Sequence, residues 1–209
     1  SGVTTFTQTY LTEFVSMVPG AEIRYTTDGS VPTRHSSLFT EPIAISNSTL
    51  FTVKSYWPDG DSSRSVKYDI KKVEPSPAVE VKNSQSGIQV SLYSGKWDKL
   101  PDFSTLSPKK TGVVSTIDLA FSKTTESFGL SFKGYLNVPQ TGVYQIFLSS
   151  DDGSQILIDS KELINYDGTH GIGEKAASIA LTQGLHPVCV NYFQGTGGLG
   201  LIVAWEGPG

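Results

Sequence analysis

Asp151 and Asp152 stand side by side at the end of the apolar run 143–149, and Gly153 follows at once before a second strand-like run begins. A strand places neighbouring side chains on opposite faces, so the backbone must leave the pleat here for both carboxylates to serve one site. Adjacent carboxylates on a stiff scaffold present hard oxygen acceptors, which suit a calcium ion or the hydroxyls of a sugar ring. Calcium takes about 6–8 oxygens, so two side chains do not complete such a site and further oxygens must come from nearby loops. The competing reading is structural: the pair ends a strand and accepts backbone hydrogen bonds.

A second cluster of polar chemistry lies at 165–171, where Asn165, Asp167 and His170 share a loop bracketed by Gly168 and Gly171. Loops at a sandwich end are where recognition concentrates, and this one is expected to rim the same depression as Asp151. A plain Asp-Gly turn between two strands explains the segment equally. Trp97, in the polar stretch Ser94-Gly95-Lys96-Trp97-Asp98, is a candidate platform for the C–H face of a pyranose, with burial as the alternative. Trp57 and Trp205 fall at strand ends and read as packing. Tyr192 and Phe193 are consecutive strand positions, so only one is expected to face the core.

Catalytic chemistry is not supported. Glycosidases set two carboxylates about 5–9.5 Å apart across a cleft, and adjacent aspartates fit opposed acid and base roles poorly. The chain has no Gly-x-Ser-x-Gly elbow and no phosphate-binding glycine loop. His35, His170 and His186 lack zinc-type spacing. His186, before Pro187 at a strand start, reads as turn chemistry. Cys189 alternates with Val188 and Val190 and reads as a buried small hydrophobe.

The elements that must position these residues are strands. Alternation of period two marks 51–56 and 65–70, with Thr52, Lys54 and Tyr56 on the face opposite Phe51, Val53 and Ser55. Asp28-Gly29 and Asp59-Gly60 supply turn geometry, as do Pro19-Gly20, Pro32, Pro42 and Pro58. After Lys72 the run Val73-Glu74-Pro75-Ser76-Pro77 cannot continue a central strand, which sets a boundary near residue 75. Further strand-like stretches follow at 88–93, 128–138, 143–149, 155–158, 177–181, 186–193 and 199–205. No helical periodicity persists over three turns. The expected architecture is all-β, two tandem sandwiches: a small immunoglobulin- or fibronectin-like one over 1–74 and a larger one over 75–209.

Bulk composition narrows the function. With 209 residues and a net charge of -4, the chain has no basic excess to neutralise phosphates, and Lys71-Lys72 and Lys109-Lys110 are too short to change that. Nucleic acid is therefore not an expected partner. No apolar run is long enough to span a membrane. A single cysteine excludes an internal disulfide but says little of compartment. Ser1-Gly2 reads as an expression leftover, and the chain as a piece excised from something longer.

Two resemblances sharpen this. Residues 25–33, YTTDGSVPT, with Leu38-Phe39-Thr40-Glu41-Pro42 and the stretch 49–57, resemble the carboxyl-side domain of chitobiases and β-hexosaminidases, a fibronectin-like sandwich without catalytic residues. In that frame Asp28-Gly29 makes a hairpin and Pro32 stiffens its return. The remainder resembles the protective-antigen-type (PA-fourteen) domain, through Phe132-Lys133-Gly134-Tyr135-Leu136, Pro139-Gln140-Thr141-Gly142-Val143-Tyr144, Ser150-Asp151-Asp152-Gly153-Ser154, Ile158-Asp159, Gly184-Leu185-His186-Pro187 and Tyr192-Phe193.

The second resemblance implies a sandwich that often binds glycans. It also implies calcium held by Asp151 and Asp152, which such adhesins often join by a cis peptide. An asparagine from a carboxyl-side loop completes their site; the matching place here holds Gln194, which departs from that pattern and is carried over as a third calcium ligand. The tandem implies a non-catalytic accessory region of a secreted, periplasmic or cell-surface bacterial glycoside hydrolase of the β-hexosaminidase kind. Its expected partners are a glycan, of which N-acetylhexosamine-containing ones are the first choice, and an upstream catalytic domain. The alternative is a spacer or protein-interaction module that orients that domain and binds no sugar; an autonomous hydrolase is the remotest option.

Overall fold

The computed structural model describes residues 3–208, so Ser1-Gly2 lie outside the described residues. The chain is all-β and divides into two compact units, Ser1–Glu74 and Pro75–Gly209.

The first unit contains β1 (Val3–Phe6), β2 (Tyr10–Thr12), β3 (Glu22–Thr26), β4 (Ser37–Leu38), β5 (Ile43–Ile45), β6 (Thr49–Tyr56) and β7 (Val66–Lys72). A five-stranded sheet in the order β1-β7-β6-β3-β4 accompanies a two-stranded β2-β5 ribbon. Phe6, Phe14, Ile23, Ile45, Phe51, Val53 and Ile70 form the core. Phe14 lies outside the strands and sets its ring edge-on to Phe39 and Phe51, at 5.1 and 5.4 Å between centroids.

Two local expectations change here. Asp28-Gly29 does turn the chain, with Gly29 at φ 83° and Asp28 accepting from the Ser30 amide at 3.0 Å. It opens a long connection to β4, however, and closes no tight hairpin. Thr52 was expected on the less buried face of β6, yet it is as buried as Phe51, and its hydroxyl finds no hydrogen-bond partner. Phe51, Thr52 and Val53 are buried in succession, so the middle of β6 is covered on both faces.

The second unit holds β8 (Ile88–Ser94), β9 (Lys110–Val114), β10 (Phe128–Val138), β11 (Gly142–Asp151), β12 (Ser154–Ile158), β13 (Lys161–Tyr166), β14 (Gly173–Leu181), β15 (Gly184–Gln194) and β16 (Gly200–Glu206). A 3₁₀ turn at Phe103–Thr105 is the only helical element among the described residues. One sheet runs β13-β12-β15-β10-β8-β9 and the other β14-β11-β16. Between them pack Leu130, Phe132, Leu148, Ile156, Val190 and Tyr192, each essentially without exposed surface.

β9 and β13 escape the sequence pattern because they are the two edges of the larger sheet, where polar residues blunt unpaired backbone and alternation is weak. As a result Asn165 and Tyr166 close a strand and do not begin a loop. His186 is fully buried; its Nδ1 meets the Asp159 carboxylate at 3.1 Å and its Nε2 the Thr182 carbonyl at 2.9 Å, tying the β12–β13 turn down. No helix among the described residues is long and apolar enough to cross a membrane.

Candidate functional site

β11 belongs to the smaller sheet and β12 to the larger, so the short link between them carries the chain across the sandwich end. Asp151 ends β11 and Asp152 begins that link, and the peptide between them is cis. Buried Ser150 and Ser154 share a hydrogen bond at 2.6 Å across the crossing. The Phe193 amide donates to the Gly153 carbonyl at 2.9 Å. A Cβ on Gly153 would stand 2.3 Å from the Phe193 ring, so only glycine permits so tight a crossing.

The two carboxylates have different surroundings. Asp152 is 1% exposed; its Oδ1 accepts from the His170 amide at 3.0 Å and its Oδ2 from the Gly195 amide at 2.9 Å. It thereby pins the 167–172 and 195–199 loops to one point. Asp151 is 9% exposed, and among the described residues no protein donor bonds its carboxylate. No Lys, Arg or His pairs with either acid among the described residues. Nearly buried negative charge of this kind calls for a cation or strong donors from a ligand.

Tyr192, reaching up from β15, donates through its hydroxyl to the Asp151 carbonyl at 2.5 Å and also meets the Gln194 side-chain oxygen. Burial first, then the charges of Asp152 and Asp151, push the Tyr192 phenol well above its ordinary value and hold it as a donor. Gln194 has no exposed surface, and its amide nitrogen donates to the Gly198 carbonyl at 2.6 Å. Gln194, carried over as a third calcium ligand, thus has both ends of its amide engaged by protein and braces the glycine-rich loop. That loop passes so close to Asp151 that a Cβ on Gly198 would lie 2.2 Å from Oδ2.

The remaining candidates are placed as follows. His170 comes to the site by its main chain; its ring stacks on Tyr166 at 3.8 Å and bonds the Tyr166 and Gly171 carbonyls. Asp167 is half-buried and accepts from the amides of Leu100 at 2.6 Å and Gly168 at 2.7 Å, so it fastens loops together. Asn165 turns away, donating to Glu162 at 3.0 Å. Trp97 lies at the same sandwich end, half-buried, its ring laid over Gly95 and edge-on to Phe103, which makes it a support and not a free platform. Tyr192 and Phe193 are both fully buried, because Phe193, on the outer face, is roofed by the Gly153 crossing.

Sequence reasoning missed Tyr192 as the brace, Ile172, 65% exposed and packed at Gly200 beside Asp151, and Leu199, 45% exposed in the glycine-rich loop. Among the described residues no group of three or more His, Cys, Asp or Glu is placed to hold a metal ion. A cation here would need the two aspartates plus main-chain carbonyls. Calcium fits that donor set: hard oxygens, two negative charges and no competing cation.

The second unit is thus a two-sheet β-sandwich with an acid pair at its loop-bearing end. Over residues 84–209, more than half its length, the chain matches the PA14 domain, and it belongs to that family. Residues 4–67 match the chitobiase/beta-hexosaminidase C-terminal domain. A beta-hexosaminidase of Porphyromonas gingivalis (strain ATCC BAA-308 / W83) is 23% identical over 173 residues, covering 78% of this chain and 22% of that protein. The chain thus spans about a fifth of that relative's length.

Two solved structures share the fold. The PA14 domain of the MpAFP antifreeze protein superposes with a TM-score of 0.50 at 15% identity, over 63% of this chain and 89% of that one. The PA14 sugar-binding domain from an RTX adhesin does so with a TM-score of 0.50 at 18% identity, over 59% and 91%. Both matched domain types are accessory modules, and no catalytic domain is evident in the chain.

Proposed function

We propose that this chain is a carbohydrate-binding accessory region of a longer, exported glycoside hydrolase of the β-hexosaminidase kind. The second unit takes glycan at the sandwich end, and the first acts as a spacer. The observation that carries this reading is Asp151, nine-tenths buried beside a second aspartate, with no protein donor or cation meeting its carboxylate among the described residues. Asp151 and Asp152 would hold calcium together with carbonyl oxygens of the 195–199 loop; the bound ion would supply positive charge to vicinal sugar hydroxyls. Exposed Ile172 and Leu199 would meet the apolar part of the sugar, such as an N-acetyl methyl.

One observation favours the rival spacer role. Both Asp152 oxygens are already occupied by loop amides, which is what a purely structural clamp requires. A glycan array read with calcium and with chelator separates the two. Calcium-dependent binding, lost in Asp151→Asn while the fold persists, supports the lectin-like role. No binding to N-acetylhexosamine-containing or other common glycans leaves the spacer.

A further inference from the structure

On the outer face of the six-stranded sheet lies an open groove of about 740 Å³, walled by Val81 and residues 83–87. Its floor follows one register row: Leu157 on β12, Cys189 on β15, Lys133 on β10, Gln89 on β8 and Val113 on β9, with Tyr135 beside them. The volume falls in the range of about 300–1,000 Å³ usual for small-ligand sites.

The row sits five residues along β10 from Phe128, which pairs with Gln194 at the aspartate end. At about 3.3 Å per residue, roughly 17 Å separates the two places. This site is therefore distinct from the one described above and does not depend on it.

Three features fix what the groove can hold. β12, β15, β10 and β8 are each paired on both sides, so a peptide lying across them cannot add itself there as a strand and gain main-chain hydrogen bonds. Recognition must come from side chains, and these alternate between apolar surface (Val113, Tyr135, Leu157) and amide or hydroxyl groups (Gln89 and the Asn-Ser-Gln-Ser run at 83–86). That mixture suits a ligand with C–H faces and many hydroxyls.

The charge is equally specific. Among the described residues no carboxylate lines the groove, and exposed Lys133 forms no ion pair. In a chain of net charge -4, this is a local positive site. We infer that the groove binds an acidic oligosaccharide, with the Lys133 ammonium meeting a sugar carboxylate and the floor taking the ring faces.

Calorimetry in chelator, which removes the proposed calcium-dependent binding at the aspartate end, with a glucuronate-bearing hyaluronan tetrasaccharide and with neutral chitotetraose as control, tests this. The acidic sugar should bind at least about tenfold more tightly than the neutral one. Lys133→Ala should weaken it by about tenfold, and Lys133→Arg should retain most of the affinity; Lys133 is exposed, so both variants keep the fold. Asp151→Asn and chelator should leave this binding unchanged, which keeps the result separate from the calcium-site reading. The inference is overturned by absence of binding, equal affinity for the neutral sugar, indifference to Lys133→Ala, loss with chelator, or capture of a poly-glutamate peptide in place of the saccharide.

Discussion

The Tyr192 hydroxyl, rooted in the larger sheet, donates at 2.5 Å to the carbonyl of Asp151, the last residue of β11 in the smaller sheet. One phenol therefore ties the two layers together directly beneath the acid pair, and also meets Gln194, which braces the loop above Asp151. Scaffold and site are coupled through this contact.

Tyr192→Phe keeps the ring and removes the tie. It removes the one hydroxyl proton shared by the Asp151 carbonyl and the Gln194 side-chain oxygen and leaves a buried acceptor unpaired, a cost of about 1–3 kcal/mol. Denaturant unfolding should show that loss. Calcium affinity should fall as well, since the glycine-rich loop loses its brace; a variant as stable and as tight-binding as wild type would refute the coupling.

Gly198→Ala tests the close approach of loop to carboxylate. A Cβ would sit 2.2 Å from Asp151 Oδ2, so the exposed loop must shift away. The expected outcome is at least about a tenfold loss of calcium affinity, or about 1.4 kcal/mol, with the unfolding midpoint of the unit little changed. Unchanged affinity would place the ion elsewhere.

Cys189 supplies the pH-dependent prediction. Burial pushes its thiol above the ordinary value of 9.0, opposed by the Ser131 hydrogen bond and the Lys133 charge. The folded state thus favours the protonated thiol. Its contribution to stability is complete below pH 9.0 and is lost as pH rises through the raised folded value. Iodoacetamide should alkylate it more slowly at pH 8–9 than a free peptide thiol, and more slowly still in Lys133→Ala. Reaction at the free-thiol rate would contradict the burial argument.

Thr52→Val addresses the first unit. Removing a buried hydroxyl that has no partner should stabilise this unit by about 1 kcal/mol, or about 4–8 °C in its melting transition. Destabilisation on thermal unfolding would show that the hydroxyl is satisfied in solution.

How much of this was legible beforehand depends on the residue. Central strands carried clear alternation because one face of each meets the core, and the Asp151-Asp152-Gly153 run stood out because adjacent charges rarely end an apolar strand. Edge strands β9 and β13 left no such mark, since each has one unpaired edge and lends the core little beyond Leu163, Ile164 and Val114. Side-chain duties within the site were least legible. Gln194 reads as a ligand by position, yet the hydroxyl of Tyr192 and the carbonyl of Gly198 claim both its ends. Asp167 reads as a recognition group but is consumed by two loop amides. Which partner wins a polar side chain is decided by loops that meet only in three dimensions.

The most direct test of the central claim is thermal unfolding of the wild-type chain and Asp151→Asn in chelator and in calcium. An ion at one hundred times its Kd adds about 2.7 kcal/mol to the folded state. Calcium should raise the melting temperature of the wild type by several degrees and leave Asp151→Asn unmoved. In chelator the variant should be at least as stable as wild type, because it no longer buries an uncompensated charge. A wild-type transition indifferent to calcium would contradict the account.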